Sequence, residues 1–459
     1  MSGVNILSPI EEQLLDAVSR ALDGAPADDA RALYIADVES VSRFALNRLH
    51  QGVERHTSSL TIEVAVGKKL GRVNADGATI AQIPALIAQA ADIARTAPET
   101  REFTGFYRPP QSAPFDDCPP ATAGYDAMAR ATQLAPAFQA AAKQGFTFAG
   151  SAGSRLATIA VLSRGGGRRI GRRASADARL FAVDGTVSGF AGRTAGDAGT
   201  LGVEQLAELA LSRAARGRKP VSLSPGKYPV VLMPHAVAEL IEWFSSIAAN
   251  ASAVEDGMSV IAARAGQAIT GKSFTLRDDS RDPAGLPFPF DFEGRDRSAV
   301  TFVDAGVAGK TVNDTLAAAR LKQEPTGHAF MPGGEGGGTP LHVFMSPGAA
   351  SEEQLIASIE RGIYVTKFHY VNGFLDPPQA VMTGLTRDGA FLIENGKLGR
   401  GIENLRFTQS LLEAGRNIRA VSSFRETVPA WWSSLGSFTV PALCIDDFTF
   451  TGSASDTAI

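Results

Sequence analysis

The 459-residue sequence is poor in the features that mark several common protein classes. It contains only two cysteines, Cys118 and Cys444, which lie too far apart in sequence to indicate a disulfide framework or a CxxC metal site. Both are therefore expected to be free thiols in a reducing compartment. The 44 basic and 48 acidic residues leave a net charge of −4, which gives no electrostatic reason to expect nucleic acid or an anionic membrane as a partner.

Long apolar runs and several catalytic signatures are also missing. No stretch of about 18 apolar residues is present, so the sequence predicts no membrane-spanning helix. The opening residues, MSGVNILSPIEEQ, lack the basic and apolar regions of a signal peptide. There is no GxSxG elbow and no dinucleotide fingerprint, and the glycine-rich run 332–340 lacks the GK[ST] ending of a phosphate-binding loop. These absences favour a cytoplasmic protein that is neither a serine hydrolase of that type nor a nucleotide-binding protein.

The length predicts two domains, and composition suggests where they divide. The segment 216–226 has the proline, glycine and serine content of a linker, which gives an N-terminal domain of residues 1–222 and a C-terminal domain of residues 223–459. In the first half, Ser8 and Glu11 form a capping box that begins a helix, and residues 60–66 alternate apolar and polar side chains as a half-buried strand does. In the second half most of the predicted elements are strands.

One stretch of the second half combines a strand with a buried helix. Residues 228–233 form a short valine-rich run, and Pro234 then begins a segment whose apolar residues recur at helical spacing up to Ile247. The sequence therefore predicts a strand that leads directly into an apolar helix. Which polar side chains this helix carries decides what chemistry the chain can perform.

A basic run lies between two predicted strands of the first half. Residues 164–173 read RGGGRRIGRR, a pattern that could bind phosphate or RNA. No aromatic residues that could stack on bases interleave with the arginines. We therefore interpret the run as the solvated tip of a hairpin.

Several short motifs occur in a definite order along the chain. They are Arg43-Phe44-Ala45 with Asn47, Leu49-His50-Gln51, Asp184-Gly185-Thr186 with Ser188-Gly189, Pro289-Phe290-Asp291 with Glu293-Gly294, Thr326-Gly327-His328-Ala329, Gly362-Ile363-Tyr364-Val365, Thr383-Gly384, residues 387–397 (RDGAFLIENGK) and Asn404-Leu405-Arg406. Each motif is weak when taken by itself, but together their order and spacing extend from about residue 30 to residue 452. This arrangement resembles the TldD/PmbA (TldE) family of paired zinc metallopeptidases.

The resemblance implies both a fold and a function. It implies an α+β protein of two domains, the first a mixed α/β domain with an antiparallel sheet and helices, the second largely antiparallel β. In this family a TldD-type subunit carries HExxxH on the helix after the domain boundary, together with a cysteine near the C-terminus, and binds zinc. A TldE-type partner lacks these groups and forms a heterodimer with it.

The present sequence departs from the family's metal-binding pattern at every ligand. The HExxxH histidines fall on Glu242 and Ile247, and its glutamate falls on Trp243. The family's cysteine falls near Ala430 or Trp431. A catalytic zinc ion needs about three protein ligands and a base for its water. The resemblance thus implies a TldE-type chain without a cofactor of its own, and with zinc in its TldD-type partner.

Some residues could still bind a metal ion or a substrate. His235, Glu239 and Glu242 share one helix face at i, i+4 and i+7 and offer an imidazole and two carboxylates. His369-Tyr370 follows a family motif and is our first candidate for a substrate contact. Trp431-Trp432 is either a recognition platform for aromatic or apolar groups, or a pair that fills the space left by the missing metal ligands or packs against a partner. His328, His342 and a buried Cys444 are interpreted as structural residues.

Three hypotheses follow. The first is a non-catalytic subunit that joins a zinc-bearing TldD-type chain and helps to present unfolded peptide. The second is an autonomous metallopeptidase with rewired ligands such as His235, Glu239 and Glu242. The third is a non-enzymatic homodimeric binding protein, or a tailoring component with a substrate unrelated to peptides.

Overall fold

A computed structural model of the chain describes residues 6–185, 187–330 and 336–453. Thr186 of the Asp184-Gly185-Thr186 motif and residues 332–335 of the glycine-rich run lie outside the described residues. Within the described part the strands form two sheets, one of seven strands in the first half and one of eleven in the second.

The first sheet is almost entirely antiparallel. Its strand order is β3-β2-β1-β5-β6-β4, with β7 paired to β6, and only β4 runs parallel to its neighbour. The long hairpins arise because consecutive strands are joined by turns of two or three residues. The strands are β1 (Asp29–Ala45), β2 (Arg48–Val66), β3 (Lys69–Asp76), β4 (Phe115–Asp117), β5 (Thr147–Ser163), β6 (Gly167–Asp184) and β7 (Val187–Ala195).

Helices cover parts of this sheet. The predicted capping box is present: the backbone N–H of Glu11 donates to Ser8 Oγ, and the Glu11 carboxylate accepts from the Ser8 N–H. Apolar residues of α1 and α2 pack on Leu60, Ile62 and Val64 of β2. The helices of the first half are α1 (Pro9–Asp23), α2 (Ile83–Thr96), α3 (Pro120–Ala123), α4 (Ala127–Lys143) and α5 (Val203–Gly217).

The end of β2 is buried on both faces, not on one face as the alternation predicted. Phe103 and Phe106, from the extended connection after α2, pack against Ala65 on the other side of the sheet. The buried Glu63 is accommodated because Arg31 donates to it at 2.6 Å. The alternating pattern marked the strand correctly, but the segment that covers its second face is distant in sequence.

The second sheet contains a closed group of strands. Strand β8 pairs with β13 in parallel and with β18 in antiparallel orientation, and β13, β14, β16 and β18 pair in turn, so these five strands close on themselves. The strands are β8 (Gly226–Leu232), β9 (Leu276–Asp278), β10 (Val300–Asp304), β11 (Val307–Ala308), β12 (His342–Met345), β13 (Arg361–Asp376), β14 (Val381–Glu394), β15 (Lys397–Gly401), β16 (Leu405–Ser410), β17 (Ile418–Pro429) and β18 (Ser437–Ser453).

The main helix of the second half is the one that the sequence predicted. It is α6, which follows β8 and packs against β13 and β18. The other helices of this half are short: α7 (Ala251–Glu255), α8 (Val260–Ala263), α9 (Thr315–Leu321), α10 (Glu352–Ala357) and α11 (Leu411–Arg416), while α6 covers Pro234–Ala248. Among the described residues no helix is long and apolar enough to cross a membrane.

The predicted α+β fold class is confirmed by these two sheets and their helices. The chain passes from the first half to the second between the end of α5 at Gly217 and the start of β8 at Gly226. The domain division at residues 222 and 223 lies inside this connection and stays a prediction.

The basic run 164–173 is not a solvated hairpin tip along its whole length. Only residues 164–166 form the turn, and β6 begins at Gly167. Arg173 is buried and donates to the carbonyl oxygens of Leu286 and Leu435 at 2.9 Å each. Burial lowers its pKa to about 10. The second half of the chain covers this part of β6, which the local sequence could not indicate.

The two halves also meet through a buried apolar cluster. Residues of β1 and β5 in the first sheet pack against aromatic and aliphatic side chains of the second half. The cluster contains Leu33, Ala157, Ile159, Val161, Phe288, Phe290, Phe330, Leu341 and Leu435.

Asp278, at the end of β9, is the centre of a buried polar network beside this cluster. Its carboxylate accepts hydrogen bonds from Arg297 at 2.6 Å, His328 at 3.2 Å, and the backbone N–H groups of Leu341 and His342 at 2.8 and 2.9 Å. Although burial opposes ionisation, Arg297 and the other donors hold the pKa of Asp278 well below its ordinary value. The network therefore contains a permanent buried carboxylate.

Two of the predicted structural histidines belong to this network. His342 contacts Arg297 and Arg173 through its two ring nitrogens, and burial together with these arginines lowers its pKa well below the ordinary value. Burial also lowers the pKa of His328. Both imidazoles are therefore neutral near pH 7, in keeping with a structural role.

The first prediction concerns this network. We expect Asp278→Asn to lower the free energy of unfolding by about 3–5 kcal/mol, because it leaves the buried Arg297 guanidinium without its counter-charge. Asp446→Asn is the matched control: Asp446 pairs with Arg419 on the surface, and its loss should cost at most about 1 kcal/mol. Urea unfolding of the two variants measures the difference. Equal losses of unfolding free energy in the two variants would show that the buried carboxylate does not stabilise this network.

Candidate functional site

The candidate site is built on α6. Pro234 occupies the first turn, where its missing N–H costs no hydrogen bond. The apolar residues of the helix, such as Ile241, Phe244 and Ile247, are fully buried in the core of the second half. The helix is therefore fixed in rotation, and its remaining side chains point in directions that the core determines.

Glu242 is the acidic residue of α6 that lies in a cleft. Its Oε1 atom accepts the backbone N–H groups of Trp431 at 2.5 Å and Trp432 at 3.2 Å. Burial raises its pKa to about 7, because the two N–H donors offset only part of the cost of burying a charge. The carboxylate thus joins the helix to the loop between β17 and β18.

An aromatic cluster lies next to this contact. The ring of Trp243 packs edge-on against Trp432, with centroids 5.6 Å apart, and against Phe374 of β13 at 5.2 Å. Trp432 and Phe374 remain 61% and 58% exposed, and Trp431 is 79% exposed. A side chain at Gly373 would collide with Trp243, since an added Cβ would lie 2.8 Å from its ring. The cluster presents a large apolar surface that is open to a ligand or partner.

The cleft between α6 and the 430–433 loop has a volume of about 200 Å³. Its other walls come from the segment before β12 and from the start of β18. The lining residues that bear on its chemistry are Glu242, Ser245, Asn250, Leu341, Trp432 and Phe438. Ser245 Oγ is buried and makes no hydrogen bond within the described residues.

His235, Glu239 and Glu242 share a helix but have different partners. His235 Nδ1 lies 3.5 Å from the Glu426 carboxylate on β17, and its ring packs on Phe190 of the first half. Burial raises the pKa of Glu239 to about 8, although Lys367 on β13 opposes the rise. His235 and Glu242 thus have partners on two different segments, β17 and the 430–433 loop. Among the described residues no group of three or more His, Cys, Asp or Glu side chains is placed to hold a metal ion.

The other predicted contact residues lie on a strand and in a loop. His369 and Tyr370 lie on β13, with their rings 6.1 Å apart; Tyr370 is 85% exposed, and its φ of 55° turns the strand. Neither residue lines the cleft. Trp432 lines it, and Trp431 contributes its backbone N–H. A substrate role for these four residues stays a prediction.

Sequence reasoning missed Ser245, Phe374 and Glu426. Ser245 looks like an ordinary helix residue, Phe374 lies in a hairpin far along the chain, and Glu426 lies in a strand almost 200 residues after its partner His235. Only Gly373, the residue before Phe374, gave a local indication, since a glycine in a strand often marks a place where another group packs closely on the backbone. Cys444, by contrast, is buried in β18 as predicted, with its thiol 3.6 Å from Ser358 Oγ.

Comparison with known proteins places this geometry in a family. Residues 225–452 match the model of the PmbA/TldA metallopeptidase C-terminal domain. The chain belongs to the TldD/PmbA family. A metalloprotease from Methanothermobacter thermautotrophicus is 23% identical over 225 residues, and this match spans about half of each protein, 48% in both cases.

Solved structures share the fold of this TldD/PmbA family member. TldE from Thermococcus kodakarensis superimposes with a TM-score of 0.81 at 19% identity, over 96% of this chain and 100% of that one. A candidate modulator of DNA gyrase from Thermotoga maritima gives a TM-score of 0.81 at 17% identity, over the same shares of the two chains.

The residues at the family's motif positions do not fit a zinc ion. Ile247 is an aliphatic side chain in the core, and Trp243 is packed between two aromatic rings. Glu242, the remaining position, uses one oxygen to bind the backbone of the 430–433 loop. A catalytic zinc site needs about three protein ligands, and these three positions supply at most one.

The second prediction is a pH-dependent effect of Glu242→Gln on stability. The pKa of Glu242 is higher in the folded chain than in the unfolded one, so the proton stabilises the fold at low pH and this contribution is lost as the pH rises through about 7. Glutamine resembles the neutral acid and keeps an acceptor for the two N–H groups. We expect the variant to gain about 2 kcal/mol more, relative to wild type, near pH 8 than near pH 5.

Thermal and urea unfolding at both pH values measure this effect. Glu208→Gln, at an exposed position of α5, is the control and should show no such dependence. If Glu242→Gln changed the free energy of unfolding equally at the two pH values, the buried, ionised carboxylate of Glu242 would not destabilise the fold near pH 8.

Proposed function

We propose that this chain is a non-catalytic, TldE-type subunit of a heterodimeric zinc metallopeptidase that acts on unfolded peptides. The metal belongs to a TldD-type partner, and the present chain completes a shared chamber and helps to hold the peptide there. We place the protein in the cytoplasm, since its two cysteines are unpaired thiols.

The observation that carries this proposal is the contact between Glu242 and the 431–432 backbone. The resemblance places the family's first histidine on Glu242 and its cysteine near Ala430 or Trp431. These positions are neighbours in space, as ligands of one ion must be, but a hydrogen bond of 2.5 Å joins them here. Trp243 and Trp432 fill the adjacent space. This contact supports a chain in which the two segments stay together without metal ligands.

Two surfaces support a role in peptide binding. The aromatic cluster of Trp243, Trp432 and Phe374 offers apolar contacts to an unfolded segment. The first part of β2, residues 48–58, has a free outer edge among the described strands, because β3 pairs only with residues 59–66. An extended peptide can add to such an edge through backbone hydrogen bonds, which tolerate many sequences.

The geometry disfavours the autonomous metallopeptidase. His235 Nδ1 lies 3.5 Å from Glu426, and Glu242 Oε1 accepts the N–H groups of the 430–433 loop, so both side chains would have to leave these partners to surround an ion with Glu239. Such a rearrangement would break two partly buried polar contacts at once. The homodimeric binding protein remains as an outcome of the test below.

The third prediction follows from this assignment. The purified chain should bind no stoichiometric zinc, whereas its complex with a TldD-type protein should contain about one zinc ion and cleave unfolded peptide. Elemental analysis, light scattering and a peptide-cleavage assay, applied to the chain alone and to the mixture, measure this. As a control, a partner whose HExxxH glutamate is changed to glutamine should still bind the chain but not cleave.

Two results would contradict the proposal. One is about one zinc ion in the isolated chain that is lost in His235→Ala or Glu242→Ala, together with peptide cleavage, which would favour an autonomous enzyme. The other is a chain that remains a homodimer when mixed with the TldD-type protein and leaves its cleavage unchanged, which would favour an independent binding protein.

A further inference from the structure

The cleft beside α6 has two unused hydrogen-bonding groups on one wall. Glu242 Oε1 accepts both loop N–H groups, but no donor among the described residues reaches Oε2. One turn further along the helix, Ser245 Oγ is buried without a partner. A buried hydroxyl without a partner is costly, and native proteins usually satisfy such groups. The position of Ser245 beside the Glu242 carboxylate in one cleft points to a ligand that donates hydrogen bonds.

The rest of the lining contains large apolar side chains. They are Leu341, Phe438 and the exposed ring of Trp432, with Thr339 and Ser433 beside them. The volume of about 200 Å³ is below the roughly 300–1,000 Å³ of pockets for drug-sized ligands, so it suits one long side chain. A side chain with an apolar stem and a polar, donating end matches both parts of the lining.

We propose that this cleft binds the side chain of a lysine residue in an extended peptide. The ammonium group donates to Glu242 Oε2 and Ser245 Oγ, and the methylene stem lies along Trp432. This assignment rests on the proposed function, in which the chain holds unfolded peptide, and it names one residue type that the chain recognises.

Lysine fits the donor set better than the alternatives. Arginine prefers two carboxylate oxygens for its planar guanidinium, but one oxygen of Glu242 is already occupied by the loop. An ammonium group is a compact charge with three donors that can turn toward two separate acceptors. An apolar side chain would leave Glu242 Oε2 and Ser245 Oγ unsatisfied. A divalent ion would find one free carboxylate oxygen and no further charged ligand among the described residues.

The fourth prediction tests this with the isolated chain. Short N-acetylated, fluorescently labelled peptides that are identical except for one central residue are compared by anisotropy near pH 8, where Glu242 is ionised. The lysine peptide should bind roughly tenfold more tightly than its norleucine counterpart, and more tightly than the arginine peptide. Glu242→Gln and Ser245→Ala should each reduce the preference for lysine over norleucine.

Control variants separate Ser245 from other hydroxyls and charges. Ser246→Ala removes an exposed hydroxyl that also lines the cleft but donates to the Glu242 carbonyl at 3.0 Å, so it should change the preference less than Ser245→Ala does. Glu208→Gln removes a distant surface charge and should keep the preference. Unfolding curves of each variant show whether the fold is intact, and Ser245→Ala remains informative if Glu242→Gln folds poorly.

Several outcomes would overturn the inference. Equal binding of the lysine and norleucine peptides would show an apolar pocket. Equal binding of a lysine-free peptide with a free N-terminus would assign the cleft to a terminal amine. If a divalent ion displaced the lysine peptide from the wild-type chain but not from the Glu242→Gln variant, the cleft would be a metal site. The assay needs neither zinc nor a partner. A negative result in it would therefore not contradict the proposed heterodimer, and the absence of a heterodimer would not contradict a measured preference for lysine.

Discussion

The buried carboxylate of Asp278 constrains the arrangement of the whole second half and its contact with the first. It binds Arg297, His328 and two backbone N–H groups at the start of β12, all without access to water. Leu341, whose N–H it holds, is both a wall of the candidate cleft and a member of the apolar cluster between the sheets. The electrostatic cost of burying this charge is offset only when all of these donors are in place, so they are positioned together.

Helix α6 positions the residues of the candidate site, and apolar packing, not a buried charge, fixes this helix. Its apolar face is fixed by the core, and its polar or aromatic residues each meet a different element. His235 meets β17, Glu242 meets the 430–433 loop, and Trp243 meets β13 through Phe374. The cleft therefore exists only in the folded chain, and its shape depends on contacts between segments that are up to about 190 residues apart in sequence.

Hydrogen bonds from the 431–432 backbone to Glu242 connect the two segments of the candidate site. A metal ion holds its ligands together through their charges, whereas here a single carboxylate and two N–H groups connect the same two segments. Burial raises the pKa of this carboxylate to about 7, so its charge changes near neutral pH. The rings of Trp243, Trp432 and Phe374 pack together beside this contact.

The sequence alone determined the local elements and the family. Features that depend on neighbours in the chain could be predicted. They are the capping box of α1, the strand that leads into α6, the buried Cys444 and the motifs from Arg43 to Arg406. The sequence also predicted which side chains stand at the positions of the family's ligands. Only the tertiary structure decided that Arg173 is buried, that His235 pairs with Glu426, and that Ser245 and Phe374 adjoin the cleft. These contacts join distant segments, and no local pattern of hydrophobicity or charge encodes which distant partner a side chain will meet.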